Sequence, residues 1–155
     1  MNDPFAYCLL LLKRRLRSRY ELDQAMKRRG VEEDDRQRTL DELTDQRFVD
    51  DLRFAWAWIH TRDRLAPRGA SVLRQELLQK GIAKDIILKV IAERSELAKD
   101  EEDDQPTELD LAKKLAQGKE RLYSNLEPEV RKRRLMGFLQ RRGFSYDVIR
   151  RILDS

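Results

Sequence analysis

A ten-residue pattern occurs three times in this chain, as LDQAMKRRGV (22–31), LRQELLQKGI (73–82) and LMGFLQRRGF (135–144). Each copy has large apolar residues eight and four places before a glycine, a basic residue directly before it and a hydrophobe directly after it. Apolar residues at that spacing fall on one face of a helix. The glycine then reads as the first residue past the helix, in the left-handed conformation that a Cβ disfavours. Arg29, Lys80 and Arg142 suit the negative end of the helix dipole, and Val31, Ile82 and Phe144 can fold back onto the last turn. Gly30, Gly81 and Gly143 are therefore assigned as structural turns. A chain that stops three helices in the same way is constrained to a repeat architecture.

Each motif has room for one helix before it and one after it. In the first unit, Asp3-Pro4 is a cap followed by proline at the first helical position, opening a helix over roughly 4–15. Ser18-x-x-Glu21 is a capping box for the motif helix, and a third helix follows from about Glu32 to Thr44. In the second unit, Asp50 or Asp51 caps a helix with Phe54, Ala55, Trp58 and Ile59 on its inner face. LAPRG (65–69) breaks it, and Ile86, Ile87, Val90 and Ile91 mark the last helix. The third unit starts at Thr107-x-x-Asp110, with Leu111, Leu115 and Leu122 as its apolar positions. It breaks near Ser124-Asn125, restarts at Pro128, and ends in a helix from Ser145-x-Asp147 with Val148, Ile152 and Leu153 inward.

The expectation is an all-α protein of three tandem three-helix repeats forming an elongated, curved array: unit 1 at 1–46, unit 2 at 47–97 and unit 3 at 107–155. The interval from Gly81 to Gly143 exceeds that from Gly30 to Gly81 by the length of ELAKDEEDDQP (96–106), so residues 98–106 read as an acidic linker. Unit 1 has Arg36 and Thr39 where the others carry Ile87 with Val90 and Ile149 with Ile152, which predicts a thinner core and a less firmly held third helix.

Charged residues make up 40% of the chain, so much of its surface is solvated and the net charge of +4 hides strong alternation. Residues 1–30, 61–95 and 111–155 are basic, whereas 31–60 and 96–110 are acidic, which creates local cationic fields. Cys8 is the single cysteine and His60 the single histidine. That excludes an internal disulfide and thiolate or histidine zinc clusters, and it suits a reducing cytoplasm. No phosphate-binding glycine loop is present, and Asp50 and Asp51 are better helix caps than an acid–base pair. No catalytic residue, metal site or cofactor is expected. The apolar run FAYCLLLL (5–12) is far short of the ~20 residues that span a membrane, and its positive charges follow it rather than precede it as in a signal peptide.

Two stretches carry a resemblance. RSRYEL (17–22) and FVDDLRFAWAWIHTRDRLAPRGASVLRQELLQKGI (48–82) are similar to the RecX family of bacterial regulators of the RecA recombinase. Asp50, Asp51, Arg53, Phe54, Ala55, Gly69, Glu76, Leu77, Lys80, Gly81 and Ile82 carry most of the match, and QRRGFSYDVI (140–149) resembles the family's third unit. The resemblance implies a cytoplasmic bacterial protein, monomeric, that lodges its helical repeats in the groove of a RecA–DNA filament. It would limit filament extension and curb ATP hydrolysis, strand exchange and co-protease activity, within DNA repair, recombination and the SOS response.

For such a role the basic clusters are the candidate contacts with DNA phosphates or acidic patches of the recombinase. The set is Arg14, Arg15, Arg17, Arg28, Arg29, Arg131, Arg133, Arg134, Arg141 and Arg142, because guanidinium forks bind phosphate and carboxylate bidentately. Trp56, on the opposite side of its helix from Trp58, is assigned to packing between units or to a hot spot for the partner. Charge reversal at Arg131, Arg133 and Arg134 is expected to weaken binding with little loss of helicity. Two alternatives stand beside this reading: a helix–turn–helix DNA reader and a purely structural helical scaffold. The first is disfavoured by the bulky Met26, Leu77 and Leu139 four places before the turn glycines, and by acidic starts to the helices that would enter the groove.

Overall fold

A computed structural model describes residues 3–97 and 106–155. The expected acidic linker, apart from Pro106, lies outside the described residues. Among those residues there are nine α-helices and no strand: α1 Pro4–Arg14, α2 Arg19–Arg28, α3 Glu33–Asp45, α4 Asp51–Leu65, α5 Ala70–Gln79, α6 Lys84–Leu97, α7 Glu108–Tyr123, α8 Pro128–Arg141 and α9 Tyr146–Leu153. Local chemistry accounts for the boundaries. Asp3 caps α1, Ser18 and Glu21 form a reciprocal capping box on α2, Thr107 and Asp110 do the same on α7, and Ser145 caps α9. Asp50 is the cap of α4, its carboxylate accepting from the Arg53 backbone at 3.1 Å.

The three motif glycines have φ of +78°, +73° and +88°. At each corner the glycine N–H bonds three residues back and the next N–H bonds five back, for example Gly81 to Leu78 at 2.9 Å and Ile82 to Leu77 at 3.1 Å. This pair of bonds satisfies carbonyls that the helix end leaves orphaned. A fourth corner of the same kind closes α3 without glycine. Arg47 takes φ +61°, with Arg47 N–H on Thr44 at 3.0 Å and Phe48 N–H on Leu43 at 2.9 Å.

The chain divides into two compact units. One holds Met1–Trp58 and Leu77–Ile87; the other holds Ile59–Glu76 and Leu88–Ser155. In the first, Cys8, Leu22, Met26, Leu40, Leu43 and Val49 form a buried cluster. The apolar α1 is covered in part by the start of the second triplet, since Phe5 meets Phe48 edge-on at 6.2 Å. Arg36 and Thr39 replace apolar core with polar bonds. Arg36 Nε lies 2.9 Å from Asp23 Oδ1 and Nη1 donates to the Val31 carbonyl at 2.9 Å, while the buried Thr39 hydroxyl donates to the Asp35 carbonyl at 2.8 Å. In the second unit, Leu111, Ala112, Ala116, Leu135, Phe138, Leu139, Phe144 and Ile149 form the main cluster. Each large side chain so buried contributes about 1.5–3 kcal/mol relative to exposure.

Two core assignments made from the sequence are corrected. Leu122 is 70% exposed: the inner line of α7 runs through the small residues Ala112 and Ala116, and Leu122 falls to its flank. Trp58 is only half-buried; it stacks on Phe54 at 6.1 Å and keeps its other side accessible to the Lys80 ammonium, 5.0 Å from the ring.

Each unit also contains one docking contact of the same design. In the first, the buried Ser18 hydroxyl donates to the Lys80 carbonyl at 2.6 Å, and the Arg19 N–H donates to the Asp51 carboxylate at 2.8 Å. In the second, the Gly69 N–H donates to the Arg142 carbonyl at 2.8 Å, and the Ala70 N–H donates to the Glu108 carboxylate at 2.9 Å. So the start of a motif helix sits on the next glycine corner, and a carboxylate at the first position of the next triplet caps it. The fit is tight. A Cβ on Gly81 would come within 2.2 Å of Tyr20 Cβ, one on Gly69 within 2.1 Å of the Gly143 carbonyl oxygen, and one on Gly143 within 2.7 Å of Val72. Gly30 meets nothing.

Candidate nucleic-acid and partner interface

The ten candidate arginines fall into two sets of five, one in each compact unit. In the first, Arg14 and Arg28 end α1 and α2 as exposed side chains with no ion pair to another described residue. Arg15 forks onto Glu21, with Nη1 to Oε2 at 3.0 Å and Nη2 to Oε1 at 3.1 Å. Lys80 Nζ reaches the same carboxylate at 3.2 Å. Burial pushes the Glu21 carboxyl up, but the hydrogen bonds from Arg15 and Lys80 outweigh it and hold it below its ordinary value. Arg29 lies 4.0 Å over the Tyr7 ring, and Arg17 is half-buried with its Nε shielded from water and lacking a partner among the described residues. A cation over an aromatic face keeps its charge while losing side-chain freedom.

In the second unit Arg131 has a structural task. Its guanidinium donates to the carbonyls of Tyr123 at 3.2 Å, Ser124 at 2.9 Å and Leu126 at 3.3 Å. These carbonyls belong to the end of α7 and the turn after it, where Tyr123 also accepts the Leu126 N–H at 3.0 Å. Charge reversal at Arg131 would therefore remove these bonds as well as a cationic contact. Arg133, Arg134 and Arg141 are exposed on α8, with no ion pair to another described residue. Arg142 is half-buried, its guanidinium 5.1 Å from the Phe138 ring. Trp56 is half-buried on α4.

Sequence reasoning passed over Gly137, which lies mid-helix in α8 between these arginines. The signal was available: its neighbours three and four places away are Arg133, Arg134, Gln140 and Arg141. Reading clusters as runs along the chain, rather than around a helix, hides that shell.

Among the described residues no helix is long and apolar enough to cross a membrane. The chain matches the family models described as "RecX, first three-helix domain" over residues 5–43, "RecX, second three-helix domain" over 50–91 and "RecX, third three-helix domain" over 107–153. It is similar to "Regulatory protein RecX" of Mycolicibacterium smegmatis, 35% identical over 150 residues covering 92% of this chain and 75% of that one. The protein of the same name from Mycobacterium marinum is 36% identical over 144 residues, covering 92% and 78%. Among solved structures, RecX from Lactobacillus salivarius superposes with a TM-score of 0.82 at 21% identity, covering 97% of this chain and 92% of that one, a likeness of fold. A second structure titled as regulatory protein RecX has a TM-score of 0.83 at 25% identity, covering 98% and 70%. With all three three-helix domains matched in order and relatives at this identity over most of its length, the chain belongs to the RecX family of regulatory proteins.

Proposed function

We propose that this chain regulates the RecA recombinase, mainly as an inhibitor, by binding the RecA–DNA filament as a monomer in the bacterial cytoplasm. The observation that carries this reading is the ordered match to the three RecX domains. Exposed guanidiniums support it, since Arg14, Arg28, Arg133, Arg134 and Arg141 need no rearrangement to meet phosphate or carboxylate. Occupancy of the filament would act sterically and electrostatically, blocking subunit addition and the motions of ATP turnover, without chemistry of its own. Repeats at 1–46, 47–97 and 107–155 joined by an acidic linker at 98–106 belong to the same reading.

A sequence-reading helix–turn–helix role draws no support. Met26, Leu77 and Leu139 are fully buried at the position where close helix crossing needs a small residue. The helices after the corners also open on Glu33-Asp34-Asp35, Lys84-Asp85 and Tyr146-Asp147, an acidic start for meeting base edges.

The test is a titration of the chain into RecA assembled on single-stranded DNA, following DNA-dependent ATP hydrolysis. Suppression at or below one chain per recombinase subunit is expected. Undiminished hydrolysis across a broad excess overturns the proposal.

A further inference from the structure

Gly137 poses a problem that the fold does not answer. A glycine inside a helix weakens it more than any residue except proline, so packing usually demands it. Here packing does not. A Cβ at Gly137 would meet only the Arg141 Nη1 atom, at 3.2 Å, the tip of a flexible exposed side chain. Unlike Gly69, Gly81 or Gly143, it has neither a crowded backbone against it nor a positive φ.

Its surroundings supply the answer. On a helix, residues three and four places away surround a given position, and for Gly137 these are Arg133, Arg134, Gln140 and Arg141, all exposed. The shell carries three positive charges and no carboxylate. Arg134 and Arg141 bracket the glycine over about 10 Å of helix at 1.5 Å per residue, close to three phosphate-to-phosphate steps along one strand at about 3.4 Å each. Nothing in the shell is aromatic, aliphatic or acidic, so what it offers a ligand is guanidinium charge and one side-chain amide. Removing the side chain at the centre lets a ligand backbone lie against the helix while guanidiniums close over it from both ends.

We propose that the face of α8 around the half-buried Gly137 is a phosphodiester-binding site, in which the exposed Arg133, Arg134 and Arg141 hold the backbone of a nucleic acid strand and Gly137 is its point of closest approach. The assignment deepens the filament-binding reading and rests on it for biological context. Contacts are to phosphate and sugar, so the site is indifferent to base sequence.

The test uses the full chain and a fluorescent mixed-sequence single-stranded oligonucleotide, with binding followed by anisotropy over a range of salt. Gly137→Ala raises the melting temperature by about 2–4 °C through helix propensity, yet weakens oligonucleotide binding. Gly137→Leu weakens it further, by about tenfold or more, because the larger side chain holds the strand out of reach of at least one guanidinium–phosphate hydrogen bond. Replacing Arg134 and Arg141 together by alanine lowers the slope of log K against log salt by about 1.4, two phosphates at about 0.7 each on a single strand. Wild-type affinity in folded Gly137→Leu overturns the site. So does a loss of filament binding by the same variant with oligonucleotide affinity intact, because the face would then meet protein. If the oligonucleotide results hold but the ATPase titration fails, the site survives and the RecA proposal does not.

Discussion

Alanine at Gly81 and alanine at Gly30 make the same chemical change at the same conformation, and the structure assigns them different penalties. Both glycines sit at positive φ, +73° and +78°, so each substitution forces a Cβ into the left-handed region at about 1–2 kcal/mol. At Gly30 nothing lies within 4 Å of the added carbon, and the cost stops there. At Gly81 that carbon would lie 2.2 Å from Tyr20 Cβ and 2.3 Å from Tyr20 Cγ. Tyr20 cannot simply rotate away, because its Cβ is fixed by the backbone of α2, whose start is pinned by Ser18 on Lys80 and Arg19 on Asp51. Separating the two segments adds about 1–3 kcal/mol of overpacking, for a total of about 2–5 kcal/mol at Gly81. With a urea dependence of about 2 kcal/mol per molar, Gly81→Ala should lower the unfolding midpoint by roughly 1–2.5 M and Gly30→Ala by roughly 0.5–1 M. Urea unfolding followed by helical circular dichroism reads both. Equal shifts would refute the reasoning, since the corner would then matter only for its turn and not for the segment seated on it.

Arg47→Gly relieves a positive φ at the α3 corner and should stabilise the chain by about 1 kcal/mol, read as a raised urea midpoint; a lowered midpoint would show that the Arg47 side chain holds the corner. Arg131→Ala strips the Ser124 and Leu126 carbonyls of their donor and removes the second donor of Tyr123, and should cost about 1–2 kcal/mol, whereas Arg133→Ala stays within about 0.5 kcal/mol in the same melt. Because the Glu21 carboxyl is held below its ordinary 4.5, the stability it contributes is complete above that value and is lost as pH falls through the lowered folded one. Glu21→Gln should therefore flatten the acid limb of a pH–stability curve and lower the neutral plateau. Asp51 runs the other way: burial raises its pKa above 3.8 against the opposing Arg19 N–H and charge, so its ionised form is disfavoured in the fold. Stability is lost as pH rises from 3.8 through the raised value, so Asp51→Asn, which keeps an acceptor for the Arg19 N–H, should match or exceed wild type at pH 7, while Asp51→Ala should fall below it by about 1 kcal/mol.

What the sequence determined by itself is whatever a few neighbouring residues decide. The capping boxes at Ser18 and Thr107, the proline starts at Pro4 and Pro128 and the helix-ending bonds at Gly30, Gly81 and Gly143 all close between near neighbours in the chain. Helix boundaries and the three-triplet order were accordingly legible, and the family could be recognised from the same stretches. Arg47 escaped because its side chain gives no hint of a left-handed turn, which is imposed there by Val49 returning to the core beside Leu43 while the Phe48 and Val49 N–H groups bond the Leu43 carbonyl. Tertiary structure alone decided which arginines remain available. Arg131 and Arg133 are chemically identical and close in the chain, yet one faces the carbonyls where α7 ends and turns and the other faces water. The difference lies in how the turn after α7 folds back against α8, which brings its carbonyls under one guanidinium and not the other, and that depends on packing between the two helices rather than on residue spacing.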